Sequence, residues 1–498
     1  MASNIVEFLK HKNILVTGST GFLAKVFIEK ILRVQPSVGT LFVLIRAPDV
    51  TAAKARLHKE IIDKELFKVL REQHGHEYNE FMLQKLVPVV GDTSIHNLGI
   101  SERSVREHLW ETLDVIVNTA ATTNFDERYD TALGVNTMAV NNFLEFGKRC
   151  RKLQVLVHVS TAFVAGEKSG VIPEKSLQMG ETLVDDTHLT LDIQTELNLA
   201  KKSLDGIQNS FVPTPKNSTD QMRKLGLERA RKYGWPNTYT FTKAMGEMIL
   251  GERRGELPIV IIRPSIIEST FADPFPGWME GSRTIDTIII GYGNGRLTSF
   301  LANPNLILDV IPADFVVNAM IAAMVKHALD FNSLSIYNVS SSTANPLNYS
   351  VLVDIGYQYF LNNPCMGKDG KLIKVEKIYL LESMESFVRY MRLRYKIPLQ
   401  IMGVANELLC QAFAERYNQQ FKRFNFVMYL AELYKPYAFF QGRFDNFNTE
   451  HMFMGLSDYD REIFNFDVKK ISWPYYLNSI HIPGVMKYVA EGQGETKD

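Results

Sequence analysis

Tyr239 and Lys243 are four residues apart in the stretch WPNTYTFTKAMGE, which runs from Trp235 to Glu247. Four residues make just over one turn of an α-helix, so both side chains are predicted on one helical face. A tyrosine hydroxyl can protonate a substrate oxygen, and a nearby ammonium lowers the pKa of tyrosine from its free value of about 10. Such a pair also occurs by chance on half-buried helix faces, so its meaning depends on the surrounding residues.

A glycine-rich loop near the start of the chain has the layout of a phosphate-binding turn. It lies between the apolar run NILVT and the helical pattern FLAKVFIEKILRVQ, and it comprises Thr17, Gly18, Ser19, Thr20, Gly21, Phe22 and Leu23. Gly18 allows a tight turn, and Gly21 lets the backbone approach a pyrophosphate at the helix N-terminus. A plain glycine turn is the alternative, but the position on the first strand–helix unit favours a dinucleotide cofactor.

Four further positions are predicted to contact this cofactor. Arg46 follows the second apolar run, where NAD-binding proteins usually carry an acid, and a guanidinium there can bind a 2′-phosphate. This favours NADPH, although a solvated arginine is the alternative and Asp49 lies close by. Asp92, Ala120 and Pro264 each follow another apolar run, and Asp92 is equally compatible with a turn or cap.

These residues fall on a regular alternation of strand and helix patterns. Apolar, β-branched runs indicate strands at residues 13–17, 40–46, 85–92, 113–120, 153–161 and 257–265. Because helical patterns separate the runs, the expected fold is α/β, a Rossmann-type doubly wound parallel sheet. Ligands bind such sheets outside the carboxyl ends of the strands, where Ser160 and Thr161 follow the fifth run.

The length of the chain and a change in composition predict two domains. Residues 1–365 are expected to form the α/β domain, with a polar, partly helical insertion at about 170–235 and a helix starting near Pro312. Residues 366–498 are predicted to form a smaller, mostly helical domain, because aromatic and long apolar residues are frequent there.

Composition excludes several classes of protein. Lysine plus arginine and aspartate plus glutamate both number 55, so no global charge recruits nucleic acid. Cys150, Cys365 and Cys410 are far apart, so neither a disulfide framework nor a metal site is expected, and a reducing compartment is favoured. The N-terminus lacks a signal or transit pattern, and the absence of an 18-residue apolar run predicts no transmembrane helix.

The order of glycine loop, strand-five hydroxyls and YxxxK pair resembles the extended branch of the short-chain dehydrogenase/reductase superfamily. Longer stretches resemble the alcohol-forming fatty acyl-CoA reductases of plants, and these are TGSTGFLAK, LIRAPD, AATTNFDERYD, HVSTAFVAGE, WPNTYTFTKAMGEM, IIRPS, PFPGW and HIPG. The similarity covers essentially the whole chain, including a C-terminal domain of the sterile type.

The resemblance implies NADPH-dependent reduction of a long-chain or very-long-chain fatty acyl-CoA to a primary alcohol. Two hydride transfers would pass through an aldehyde and release CoA, and the alcohol would feed wax or suberin synthesis. In this family Tyr239 would act on the substrate oxygen, Lys243 would also hold the nicotinamide ribose, and Thr161, with Ser160 beside it, would orient the substrate. Asn136 would either complete a proton relay or cap the start of a helix.

Three other activities stay open from the sequence. An aldehyde-forming thioester reductase would share every motif and release the aldehyde. An extended-family enzyme acting on sugar nucleotides or small carbonyl compounds is disfavoured by the apolar C-terminal region. A catalytically inert lipid-binding paralogue is disfavoured by the intact set of Tyr239, Lys243 and Thr161.

The stretch from Phe387 to Leu409 alternates bulky apolar residues with arginine and lysine. One hypothesis is an element that lies in a lipid interface, which would give peripheral association with the cytosolic face of the endoplasmic reticulum. The alternative is a core helix with solvated basic positions in a cytoplasmic protein, with the helical periodicity broken at Pro398. The sequence leaves the oligomeric state and the acyl chain length open.

Overall fold

A computed structural model describes residues 4–208, 215–281, 284–367 and 369–490 of the chain. The described residues form two compact units. Unit 1 takes its residues from 1–276, 310–344 and 442–470, and unit 2 from 277–309, 345–441 and 471–498. The two units therefore interleave along the chain, whereas the sequence predicts two consecutive domains with one boundary at residue 365.

Thirteen strands are present among the described residues. They are β1 (Ile14–Thr17), β2 (Leu41–Ile45), β3 (Leu86–Val90), β4 (Val115–Asn118), β5 (Val155–Val159), β6 (Gly170–Ile172), β7 (Ile259–Pro264), β8 (Ile266–Glu268), β9 (Ser299–Leu301), β10 (Val310–Pro312), β11 (Leu334–Val339), β12 (Tyr379–Leu381) and β13 (Gly442–Phe444).

The described α-helices surround these strands. They are α1 (Ile5–Leu9), α2 (Phe22–Val34), α3 (Val50–Leu57), α4 (Lys68–His74), α5 (Tyr78–Lys85), α6 (Arg103–Thr112), α7 (Tyr129–Ala132), α8 (Ala139–Gly147), α9 (Ile193–Gln208), α10 (Pro215–Lys232), α11 (Thr238–Arg253), α12 (Thr284–Gly293), α13 (Ala313–Lys326), α14 (Tyr349–Asn362), α15 (Met384–Met391), α16 (Ile397–Leu408), α17 (Ala414–Ala438), α18 (Phe447–Met454), α19 (Asp458–Ile463), α20 (Trp473–Tyr475) and α21 (Ile482–Val485).

The central sheet of unit 1 has seven parallel strands in the order β11-β7-β5-β4-β1-β2-β3. This is the doubly wound Rossmann arrangement, extended by β11, and the strand order reverses between β1 and β4. All six strands predicted from apolar runs are confirmed. The run LSIYNV of β11 was not predicted as a strand, because serine, tyrosine and asparagine interrupt its apolar residues.

Helices cover both faces of the sheet because successive strand residues point to opposite sides. On one face Leu15, Ile116 and Leu156 join Phe143 of α8 and Met248 of α11 in one apolar core. On the other, α13 packs against α2, β5 and β7. The doubly wound fold predicted from the sequence is therefore present.

The predicted insertion is partly helical, as expected, and contains α9 and α10; residues 209–214 of it lie outside the described residues. In unit 2 the backbone from α15 to α16 remains helical through a π-helical segment, Arg392–Lys396. Pro398 lies in the first turn of α16, and it does not end the helix, because the backbone before it keeps helical φ and ψ angles. None of the described helices has the length and apolar character needed to span a membrane.

Candidate active site

The glycine loop forms a close-packed turn at the carboxyl end of β1. Gly18 has a φ of 62°, and a Cβ atom there would lie 2.8 Å from the backbone N and Cα atoms of Ala120. Gly21 is the N-cap of α2 and makes no side-chain cap hydrogen bond. The loop therefore brings a helix N-terminus and the backbone after β4 together, and this cradle fits a dinucleotide pyrophosphate.

The other loop residues hold this turn in place. The Ser19 hydroxyl donates to the Leu44 carbonyl at 3.0 Å, and the Thr20 carbonyl accepts from the Lys25 ammonium at 2.8 Å. Phe22 is buried and Leu23 is half-buried in the first turn of α2. These contacts fix the backbone shape on which the predicted phosphate site depends.

A buried chain of polar groups runs beneath the loop from β1 to α11. The Thr17 hydroxyl donates to Asn118 Oδ1 at 2.9 Å, and Asn118 Nδ2 lies 2.9 Å from His158 Nδ1. His158 Nε2 lies 3.5 Å from Lys243 Nζ. The chain crosses the three adjacent strands β1, β4 and β5 and ends at the predicted catalytic lysine.

The orientation of Asn118 determines the protonation state of His158. The Ala120 backbone N–H, which can only donate, lies 3.2 Å from Asn118 Oδ1, so the amide NH₂ faces the histidine. His158 Nδ1 must then accept, which leaves the proton of the neutral ring on Nε2, so the 3.5 Å approach of Nε2 to the Lys243 ammonium is a contact between two donors and not a hydrogen bond. Burial and the neighbouring lysine hold the pKa of His158 well below its usual range, in agreement with a neutral ring.

Lys243 is fully buried at the end of β5. Its ammonium donates to the Val159 carbonyl at 2.6 Å, which ties α11 to the residue immediately before Ser160. Burial lowers the pKa of Lys243 to about 8, while the Glu247 carboxylate one turn further along α11 opposes this shift. Glu247 is itself held by the Arg263 guanidinium of β7 at 3.0 Å. The charge on Lys243 is therefore sensitive to pH close to neutrality.

Tyr239 lies one turn before Lys243 on α11, as the spacing predicts. The Asn237 side chain caps this helix by accepting from the Thr240 N–H at 3.0 Å. Tyr239 is half-buried, and its ring centroid lies 5.9 Å from that of Phe125 in the loop after β4. Its hydroxyl-bearing ring therefore stands at the boundary between the core and solvent, where a substrate can reach it.

The two hydroxyls after β5 differ in their surroundings. The Thr161 hydroxyl accepts from the Phe163 N–H at 3.3 Å and so caps a short helical turn. The Ser160 hydroxyl is buried and has no hydrogen-bond partner in the part of the chain that the structure describes. A buried, unsatisfied hydroxyl is unusual and is compatible with a role towards a ligand.

Asn136 does not cap a helix start, because it lies inside the π-helical segment Leu133–Met138. Its Oδ1 accepts from the Thr122 N–H at 3.1 Å, and its Nδ2 donates to the Thr122 carbonyl at 3.1 Å and to the Thr242 hydroxyl at 3.0 Å. Asn136 thus ties the loop after β4 to the helix that carries Tyr239 and Lys243. The proton-relay role of Asn136 stays a prediction.

The remaining predicted residues lie at the carboxyl ends of other strands. Arg46 is exposed after β2, and its guanidinium forms no ion pair with any described residue. Asp49 caps α3 by accepting from the Ala52 N–H at 2.8 Å, so this carboxylate has a structural role. Asp92 accepts from the Ser94 N–H and hydroxyl at 2.9 and 2.7 Å, which is the turn alternative. Pro264 is buried at the end of β7.

Sequence reasoning did not assign roles to Asn118, Glu247 or to the ring of His158. Asn118 and His158 interrupt otherwise apolar strand patterns, and a polar residue at the end of a buried strand is the signal that could have found them. Glu247 forms an ion pair with the buried guanidinium of Arg263 and neutralises its charge.

The doubly wound sheet, the glycine cradle and the tyrosine–lysine pair define a nicotinamide-dependent reductase of the short-chain dehydrogenase/reductase type. Comparisons with known proteins narrow this class. Residues 16–320 match a family model described as male sterility protein, and residues 394–491 match a second model with the same description.

Two plant proteins are similar to this chain over nearly its whole length. Fatty acyl-CoA reductase 1 of Arabidopsis thaliana is 46% identical over 98% of this chain and 99% of its own. The alcohol-forming fatty acyl-CoA reductase of Simmondsia chinensis is 44% identical with the same coverage. The chain belongs to the fatty acyl-CoA reductase family and is an enzyme.

A solved structure confirms the fold. The terminal R domain from the myxalamid PKS-NRPS biosynthetic pathway has a TM-score of 0.56 and 17% identity, and the match covers 98% of this chain and 92% of that one.

Proposed function

We propose that this enzyme is an NADPH-dependent, alcohol-forming reductase of long-chain or very-long-chain fatty acyl-CoA. One observation carries the proposal: the Tyr239–Lys243 pair on α11 is tied at Lys243 to the strand that delivers Ser160 and Thr161. The 44% identity to an alcohol-forming reductase supports the substrate class and the product. The fatty alcohols would feed the synthesis of waxes or of polyesters such as suberin.

The residues of the chain have distinct proposed roles. The nicotinamide ring of the bound dinucleotide would supply hydride, and the phosphates of the dinucleotide would lie on the cradle of Gly18, Gly21 and Ala120. Tyr239 would donate a proton or strong hydrogen bond to the oxygen on which negative charge develops. The Lys243 ammonium would favour the phenolate, and Thr161 would orient the carbonyl group.

The same tyrosine would serve both reductions. In the first, the C–S bond of the thioester breaks and CoA leaves as its thiolate, giving an aldehyde. In the second, the aldehyde oxygen takes the proton from Tyr239 and the primary alcohol forms. No cysteine nucleophile is needed, and Cys150, whose pKa burial raises to about 12, is unsuited to be one.

The choice of NADPH rests on Arg46. Its exposed guanidinium follows β2 and has no ion pair among the described residues, so it is available for a 2′-phosphate. The nearest competing acid, Asp49, is occupied as a helix cap. The Arg46→Glu variant is expected to bind NADPH at least tenfold more weakly while NADH binding changes little. Unchanged NADPH affinity would remove this assignment.

The decisive experiment is product analysis. The purified enzyme is incubated with excess NADPH and a panel of acyl-CoAs from C16 to C30, and lipids, CoA and NADP⁺ are quantified. The proposal expects primary alcohol, with two NADPH oxidised for each CoA released. One NADPH per CoA with free aldehyde would identify an aldehyde-forming reductase, and no NADPH oxidation with any acyl-CoA would favour an inert lipid-binding protein.

Peripheral membrane association is also proposed, from the surface of α16 and the segment before it. Leu393, Ile401, Val404 and Leu408 are 62%, 65%, 59% and 78% exposed, and their spacing of three, four or eight residues places them on one helical side. Arg392, Arg394 and Lys396 flank this apolar stripe. Exposed apolar side chains with flanking basic residues are typical of an interfacial helix.

The same helix also has a buried side, formed by Phe387, Met391 and Leu399. The two sequence hypotheses for this stretch therefore apply to different faces: one face belongs to the core of unit 2, and the other is available to a lipid surface. The proposed location is the cytosolic face of the endoplasmic reticulum.

A further inference from the structure

A basic pocket lies within unit 2, apart from the residues proposed to carry out reduction. It has a volume of about 180 Å³ and lies between the segment that leads into β9, the helix through Arg394 and Leu399, and α17. Roughly 10 to 15 Å³ of such space holds one water molecule, so a phosphate group fits. We call it the arginine pocket, after Arg296, Arg394, Arg416 and Arg423, which line it.

No acidic side chain among the described residues balances the charge in this pocket. Its lining includes no aspartate or glutamate, and none of the four arginines forms an ion pair with a described residue. Arg423 is held in place because its guanidinium donates to the carbonyls of Gly295 and Arg296 at 2.8 and 3.0 Å. Burial, with a smaller effect of the neighbouring Arg296, lowers the pKa of Arg423, which reflects chiefly the cost of removing a guanidinium from water.

The rest of the lining limits the kind of anion. The Tyr395 and Thr298 hydroxyls are 2.9 Å apart, and Gln420 adds an amide. Buried Met391, Leu399 and Val427 supply an apolar wall on the inner side. Guanidinium groups pair with phosphate oxygens in a fork geometry, whereas the apolar wall suits the organic part of a phosphate ester.

We propose that the arginine pocket binds a phosphate group of an amphiphilic phosphate ester. Two sources share this chemistry: the phosphates of the CoA that the proposed substrate carries, and the headgroup of an anionic phospholipid. The CoA source rests on the proposed function, whereas the phospholipid source does not.

The test uses the full chain and a double variant, Arg296→Gln with Arg416→Gln, because these two arginines line the pocket and lie outside the apolar stripe. Both side chains are exposed and make no ion pair with a described residue, so the fold is expected to be retained. The matched control, Lys422→Gln with Lys435→Gln, removes two exposed charges from α17, the helix that carries Arg416, at positions that neither line the pocket nor flank the apolar stripe. CoA binding is measured by calorimetry, and vesicle binding by flotation with phosphatidic acid in phosphatidylcholine.

The pocket variant is expected to lose at least tenfold in affinity for one of the two probes, while the control loses less than threefold. Loss towards CoA identifies the substrate as the source, and loss towards phosphatidic acid vesicles identifies the lipid. The proposal is overturned if both probes bind the pocket variant as they bind the wild type, or if the control loses as much. Binding is measured without turnover, so a wild-type enzyme that reduces no acyl-CoA would refute the proposed function separately.

Discussion

Tyr239 offers the sharpest test at the scale of single residues, because Tyr239→Phe removes only a hydroxyl. General acid catalysis contributes about 10²- to 10⁴-fold, so acyl-CoA-driven NADPH oxidation is expected to fall at least 100-fold. The thermal midpoint should stay close to that of the wild type, because the half-buried ring is kept. Tyr459→Phe, at an exposed tyrosine of α19, is the control and should retain full activity. Wild-type turnover in Tyr239→Phe would contradict the mechanism.

Lys243 makes the reaction dependent on pH. Its pKa of about 8 means that the ammonium predominates below pH 8 and the neutral amine above it. The charged groups around it are Glu247 with its partner Arg263, while His158 stays neutral and Tyr239 is the group it assists. We expect kcat/KM to fall as pH rises through about 8. Stopped-flow measurements from pH 6 to 10 check this, and a level profile between pH 7 and 10 would exclude it.

The titration of Lys243 changes stability in the opposite direction to activity. A loss of activity above pH 8 can therefore be distinguished from unfolding. The unfolded lysine titrates near ~10.4, so between about pH 8 and 10.4 the unfolded chain binds more protons than the folded one. The contribution of this group to the free energy of unfolding therefore rises with pH in that window.

At the scale of elements, the turn from β1 to α2 depends on Gly18. Gly18→Ala would combine a positive φ with a Cβ atom 2.8 Å from the Ala120 backbone. Gly75 is a matched control, since its φ of 53° is also positive but a Cβ atom there would contact nothing within 4 Å. Gly75→Ala should cost roughly 1 to 3 kcal/mol of stability from backbone strain alone, because φ of 53° with ψ of −123° is a sparsely populated conformation for residues other than glycine. Gly18→Ala should lower the free energy of unfolding, measured with denaturant, by more than Gly75→Ala does, and it should also weaken cofactor binding at least tenfold. Equal effects of the two substitutions would contradict the phosphate-binding role of the cradle.

The exposed stripe of α16 predicts how this element meets lipid. Ile401→Gln with Leu408→Gln should reduce flotation with anionic vesicles several-fold, because less apolar area enters the lipid boundary. Leu83→Gln with Leu361→Gln, at half-exposed leucines of two other helices, is the control and should float like the wild type. If both double variants float alike, the stripe is not the membrane contact.

At the scale of the whole molecule, the interleaved units predict that residues 1–365 do not form a stable protein. Such a truncation removes β13, which pairs with β6 inside unit 1, and Phe444, which is fully buried. It also removes the carbonyls of Ile463 and Asn465, which accept from Lys30 and Asn318 at 2.6 and 2.8 Å. Limited proteolysis and thermal unfolding are expected to show an earlier loss of structure than in the full chain. A truncated protein as stable as the full one would count against this division.

Local patterns predicted much of unit 1 because they depend on neighbours in sequence. The glycine loop, six strands and the shared face of Tyr239 and Lys243 follow from apolar periodicity and glycine positions. Local patterns cannot choose between two possible roles of a residue when both roles need only a short polar side chain. Asp92 holds a turn and Asn136 joins two elements, while the cofactor contact of Asp92 and the proton relay of Asn136 stay predictions.

The sequence by itself determined the class of the protein, because each motif is a short local stretch and the order of the motifs can be read directly along the chain. Only the tertiary structure decided which distant groups meet: Thr17, Asn118, His158 and Lys243 form one buried chain although 226 residues separate its ends. It also decided that residues 442–470 belong with the sheet, and which apolar face of the helix through Leu399 is exposed. Helical periodicity shows that a helix has apolar faces, but burial depends on what the rest of the chain places against them.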